Sequence, residues 1–174
     1  MVTVTACPSD FVTAARDVVG GVLDPEMPQV TLADLGIVRE VAEHGGRVDV
    51  TITPTYSGCP AMGAIRADIE CTLHAAGFGD VTIRTALSPA WTTDWITETG
   101  REKLRAAGYS TPGAAPRCTD GPIPITLAPR RRTVACPVCG STATRLDSEF
   151  GATPCKALYR CLDCREPFDH VKEI

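Results

Sequence analysis

Residues 53–63 read Thr-Pro-Thr-Tyr-Ser-Gly-Cys-Pro-Ala-Met-Gly, and the patterns on either side of them decide the fold. Before this stretch, Arg47 to Thr53 alternates: Val48, Val50 and Ile52 face one way, Asp49, Thr51 and Thr53 the other. That is the period of a half-buried strand. After it, Met62, Ile65, Ile69, Leu73 and Ala76 recur at three- and four-residue steps up to Gly77. This spacing predicts a helix with one apolar face and a glycine stop. Cys59 therefore falls where a strand ends and a helix begins, with Pro60 suited to the first helical position. The N–H groups of a first helical turn lack intrahelical partners and carry the positive end of the helix dipole, so they favour an anion. A thiol placed there can have its pKa lowered from about 8.5 to roughly 3.5–7.5. Its thiolate binds soft metals or attacks electrophiles. The plainer reading of Cys59 is a small residue filling the turn.

A chain of 174 residues fits one domain of about 100–150 residues plus something smaller, and a hydrophobic content of 44% supports a core. A net charge of -4 and a pI near 5.4 argue against a nucleic-acid protein held by phosphate contacts. Asp10, Arg16 and Asp17 interrupt residues 1–22, so neither a basic leader nor an apolar run is present there. No later stretch is long and apolar enough to span a bilayer, and the expectation is a soluble, cytoplasmic protein without a membrane partner.

The first helix is expected from a Ser9 cap to about Val22, with Phe11, Ala15, Val18, Val19 and Val22 on one face. Leu23 to Pro28 breaks it, and Leu32, Leu35 and Ile37 lead into a strand through Val41. His44-Gly45-Gly46 turns the chain back into the Arg47–Thr53 strand as a hairpin. The central helix is followed by a strand from Val81 to Leu87, then a loop, then a last helix to Ala107 capped by Asp94 and ended by Gly108. This order predicts an α+β fold with a small mixed sheet, the strand after the central helix returning parallel to the one before it. The domain is expected over 1–110, a proline-rich linker over 111–132 and a second module over 133–174. Arg130-Arg131-Arg132 at the linker's end reads as a solvated edge or a patch for an acidic partner.

Of the nine cysteines, four form two Cys-x-x-Cys pairs near the C-terminus, which reads as metal ligation rather than disulfides. Cys136, Cys139, Cys161 and Cys164 match a four-cysteine zinc ribbon, each pair forming a tight knuckle and Gly140 letting the chain turn away. Thr144–Phe150 and Ala157–Arg160 are the expected ribbon strands. A segment this small buries too little apolar surface to fold alone, so binding one zinc and folding are a single event. Iron in the same four-cysteine site stays open. Cys155 is a fifth thiol near the ribbon, read either as packing or as an auxiliary ligand-exchange or docking residue. Cys7, Cys71 and Cys118 are assigned no role.

These residues also resemble a known family. Asp24-Pro25-Glu26, Asp34-Leu35-Gly36, the valine-rich strand and Ser57-Gly58-Cys59-Pro60-Ala61 resemble the small α+β domain of SufT-like iron–sulfur assembly factors. The stretch Pro89 to Ile96, Ser148-Glu149-Phe150-Gly151 and Cys155 to Cys161 resemble, more narrowly, the PaaD family encoded with the multicomponent phenylacetyl-CoA epoxidase of phenylacetate catabolism. The resemblance implies a bacterial accessory factor without catalysis of its own. It would help to assemble the epoxidase's reductase iron–sulfur cluster or its di-iron centre, with oxygenase or reductase subunits and iron–sulfur carrier proteins as partners. Cys59 near Glu26, Asp24 and Asp34, if the loops meet, would make an incomplete site for transient iron or a cluster, suited to transfer. The alternative for the acids is structural: Asp34 as a turn or cap residue, Glu26 as a solvated loop charge. Trp91 and Trp95 read as packing or partner docking.

Three functions compete on this reading: delivery of metal or cluster by Cys59, a stoichiometric structural subunit of the oxygenase complex, and a thiol enzyme with Cys59 as nucleophile. The last needs a base, and none of His44, His74 and His170 adjoins Cys59 in sequence. Homodimerisation around a shared cluster stays open.

Overall fold

The computed structural model describes residues 8–115 and 133–174. Cys7, Cys118, most of the proline-rich linker and Arg130-Arg131-Arg132 lie outside the described residues. The chain divides into two compact units, Met1–Lys103 and Leu104–Ile174. No helix among the described residues is long and apolar enough to cross a membrane.

In the first unit, helix α1 (Pro8–Gly20) precedes strands β1 (Val38–His44) and β2 (Arg47–Ile52). Helix α2 (Met62–Ala75), strand β3 (Val81–Thr85) and helix α3 (Glu98–Ala106), which crosses into the second unit, then follow. Helix α1 is described from Pro8, and the cap expected at Ser9 involves a side chain outside the described ones. β1 and β2 pair antiparallel across Gly45 and Gly46, whose φ of +63 and +85 are those of a two-residue hairpin turn. β2 and β3 are parallel, giving the order β1-β2-β3, and the parallel step is made possible by α2. Val48, Val50 and Ile52 of β2 and Ile65, Ile69 and Leu73 of α2 are all buried in the core, as their spacing predicts. At the end of α2, Phe78 N–H donates to Leu73 C=O and Gly77 N–H to His74 C=O, with Gly77 at φ +94. That double bond pattern is a Schellman stop.

The Asp34-Leu35-Gly36 stretch is a packing junction. Trp91 Nε1 donates to Leu35 C=O at 2.9 Å, and Gly36, at φ +66, lies so close to Trp95 that a Cβ there would come within 2.5 Å of its carbonyl oxygen. Arg39 stacks its guanidinium 3.5 Å above the Trp95 ring. Both tryptophans thus serve packing within this unit. Thr97, not Asp94, caps α3: its Oγ1 accepts from Gly100 N–H at 2.9 Å. Asp94 sits instead in a short 3-10 turn, Thr93–Trp95.

The second unit holds strands β4 (Thr144–Ser148), β5 (Lys156–Cys161) and β6 (Pro167–Val171), antiparallel in that order. The sequence predicts two of these strands, and the structure adds β6. Its five residues, Pro-Phe-Asp-His-Val, are too few for an alternation to stand out. Ser110 forms an isolated parallel bridge to His170 beside β6, and Gly113 N–H donates to Glu173. Residues 110–113, read as the domain end and the start of the linker, therefore lie against the ribbon. The ribbon's buried cluster is Val134, Cys136, Ala157, Tyr159, Cys161 and Phe168. Two of these six are cysteines of the Cys-x-x-Cys pairs, so its core is built around the sulfurs.

Candidate metal and thiol sites

The turn that carries Cys59 is built from β2's end. Thr53 N–H donates to Ile37 C=O, fixing the exit of the strand, and Cys59 N–H donates to Tyr56 C=O at 3.2 Å, closing a tight turn over Tyr56 to Cys59. Helix α2 begins at Met62, so Pro60 stands before the helix and not at its first position. Ala61 takes the cap position, with no side-chain hydrogen bond to the helix, and no acid lies in the first turn. The helix's own first turn thus carries no carboxylate to compete for its positive end. Cys59 is half-buried, Ser57, Gly58 and Pro60 beside it are exposed, and a Cβ at Gly63 would meet nothing within 4 Å.

Two of the acids expected to meet Cys59, Asp24 and Asp34, bind backbone N–H groups of their own loops. Asp24 Oδ1 accepts from Glu26 N–H at 2.9 Å and Met27 N–H at 2.8 Å, an Asx-type turn that orders the loop after α1. Glu26 is half-buried and supplies its backbone N–H to that turn. Asp34 Oδ2 accepts from Thr31 N–H at 2.9 Å and from Lys103 Nζ at 2.6 Å, while Thr31 Oγ1 accepts from Asp34 N–H. Burial pushes the Asp34 carboxyl up, but the bonds from Lys103 and Thr31 outweigh it and hold it below the ordinary carboxylate value. Cys59, Glu26 and Asp34 do not come together as a three-donor group among the described residues. Asp34 is instead tied to Lys103 of α3. Lys103 carries no local signal as a partner of Asp34, because 69 residues separate the pair.

The four-cysteine group does assemble. The sulfurs of Cys136, Cys139, Cys161 and Cys164 all lie within 4.8 Å of one another, and the pairs Cys136–Cys164 and Cys139–Cys161 are 3.7 and 3.5 Å apart. A tetrahedron with Zn–S bonds of about 2.3 Å has edges of about 3.8 Å, so the donor set fits zinc. Each knuckle turns on a left-handed residue just after its second cysteine: Gly140 at φ +73 and Arg165 at φ +66. The sequence pointed to Gly140. Arg165 carried no signal, since a non-glycine residue rarely takes that conformation. N–H groups of Cys164 and Asp163 draw the Cys161 thiol down to about 7 despite its burial. At Cys164 the Glu166 N–H pulls down as well, but burial and the neighbouring sulfurs carry that thiol up to about 12. Crowded sulfurs resist a second negative charge, and a bound dication removes that resistance. Cys155 is buried with its Sγ 3.1 Å from Thr153 Oγ1 and is not one of the four clustered donors. Cys71 is exposed on α2.

Comparison with known proteins assigns both halves. Residues 13–85 match the model of the iron-sulfur cluster assembly protein family, and residues 121–172 match the PaaD zinc beta ribbon domain. A protein of Escherichia coli (strain K12) that is named as a subunit of 1,2-phenylacetyl-CoA epoxidase is 48% identical over 151 residues, covering 87% of this chain and 86% of that one. This chain belongs to the PaaD family. The crystal structure of a domain of unknown function, DUF59, from Bacillus anthracis has a TM-score of 0.52 at 23% identity, over 56% of this chain and 93% of that one. At that identity the likeness shows a shared fold. In this PaaD-family chain the Cys59 turn lies inside the assembly-protein match, and the four clustered cysteines lie inside the zinc-ribbon match. The second unit is therefore a zinc ribbon, and its metal has a structural place.

Proposed function

We propose that this chain is an accessory maturation factor for the multicomponent phenylacetyl-CoA epoxidase. In this reading it delivers iron or an iron–sulfur cluster, as cargo, through Cys59 to the reductase cluster or the di-iron centre. One observation carries the proposal: in a chain 48% identical to a named epoxidase subunit, the assembly-type domain presents a half-buried thiol in the turn that leads into α2. Helix N–H groups favour the thiolate there, and thiolate is the ligand form. Cys59 stands outside any closed set of described metal donors, so cargo bound to it would be incompletely coordinated by this chain and easily passed on. Cys136, Cys139, Cys161 and Cys164 hold one structural zinc that folds the ribbon, and Cys155 packs. Oxygenase or reductase subunits, with iron–sulfur carriers upstream, are the partners, and the site of action is the cytoplasm.

A thiol enzyme is the weaker reading. His74 lies in the last turn of α2, on the order of 18 Å along the helix from its start at Met62 at 1.5 Å per residue. His44 lies 3.9 Å from Asp49, and His170 is buried in the ribbon beside Ser110 and Glu173. A stoichiometric structural subunit remains the second reading because the Escherichia coli relative is named as a subunit. Metal analysis of anaerobically purified protein separates the readings. Zinc at one per chain plus labile iron that disappears in Cys59→Ser supports delivery. Iron that is absent from the wild type, together with stoichiometric co-purification with the epoxidase, supports the structural subunit.

A further inference from the structure

Val48 N–H donates to Asp80 C=O, and Ala86 N–H donates to Ile52 C=O at the other end of the β2–β3 ladder. In a parallel ladder this phase turns the backbone groups of Thr82 and Arg84 toward β2 and those of Val81, Ile83 and Thr85 outward. Among the described residues no strand lies beyond β3. A bare row of outward N–H and C=O groups is a template for another strand. Here one side chain intervenes. Arg66 reaches from the exposed face of α2 and donates from Nη2 to the outward Ile83 carbonyl at 2.8 Å, and from Nη1 to Thr85 Oγ1 at 3.3 Å.

We propose that Arg66 guards this edge, and that the edge beneath it is a latent site for self-pairing with a second copy of the chain. The strand is self-complementary. An antiparallel pair centred on Ile83 sets Ile83 against its counterpart, Val81 against Thr85 and Thr82 against Arg84, so no like charges face each other. Every outward N–H then meets an outward C=O, and the central pair needs the Ile83 carbonyl that Arg66 occupies. Val-Thr-Ile-Arg-Thr is rich in β-branched residues, which suit such pairing. The inference is independent of the thiol chemistry at Cys59.

Sedimentation velocity of the full chain over a concentration series tests it with three proteins: wild type, Arg66→Ala, and Arg66→Ala combined with Thr85→Pro. Alanine on an exposed helix face preserves the fold, and proline at Thr85 removes an outward N–H without touching the ladder to β2. The expected result is an association constant at least about ten-fold higher in Arg66→Ala than in wild type, returned to the wild-type value by the added proline. Unchanged association in Arg66→Ala overturns the proposal. So does association that survives the proline, since it then runs through another surface.

Discussion

Removing Asp34 distinguishes a structural carboxylate from a metal ligand. Its Oδ2 holds Thr31 N–H and Lys103 Nζ, and the residue is 8% exposed. A hydrogen bond to a charged group contributes roughly 1.5–3 kcal/mol. The Lys103 side chain is 41% exposed, which lowers its share toward about 1 kcal/mol. Asp34→Ala should therefore destabilise the first unit by about 2–4 kcal/mol near neutral pH. Both tryptophans of the chain lie in that unit, so urea unfolding followed by their fluorescence reports on it alone. The folded-state pKa of Asp34 is depressed, so its contribution is full above the unfolded value of about 3.9 and disappears as pH falls through the folded-state value. The gap between wild type and variant should accordingly close in acid. A gap below about 0.5 kcal/mol at neutral pH refutes the structural assignment, because that is the range of an ordinary surface substitution. A pH-independent gap refutes the role given to the charge.

Other substitutions and chelation test the remaining parts. Gly36→Ala should cost more than about 2 kcal/mol, read by the same fluorescence, since it adds left-handed strain to a Cβ pressed against the Trp95 backbone. Cys161→Ser or zinc chelation should collapse the amide dispersion of the ribbon while that of residues 13–85 persists. Structural zinc contributes roughly 10–16 kcal/mol, as much as a whole domain's stability. Cys155→Ser should leave zinc at one per chain, because its sulfur lies outside the clustered donors; a fall in zinc content measured by mass spectrometry contradicts this.

Local patterns made the central strand, its helix, the hairpin glycines and the four-cysteine spacing readable from sequence. Each is fixed by neighbours a few residues away, as in the burial of Val48, Val50 and Ile52 or the stop at Gly77. What escaped depends on distance along the chain or on a local competition. Asp34 looked available for metal until Lys103 arrived from α3, and Asp94 looked like a cap while Thr97, three residues later, held the position. Pro60 missed the helix because a second turn, closed by Met62 N–H to Cys59 C=O, follows the Tyr56–Cys59 turn before α2 starts. The left-handed Arg165 was invisible because the metal knuckle, not the residue's own preference, imposes it.

The most direct test of Cys59 is the iron content of the epoxidase isolated from cells in which Cys59→Ser replaces the wild-type chain. Delivery through this thiol requires that iron in the epoxidase fall sharply while the variant itself keeps one zinc per chain. Epoxidase with full iron, made beside a folded and zinc-loaded Cys59→Ser protein, contradicts it.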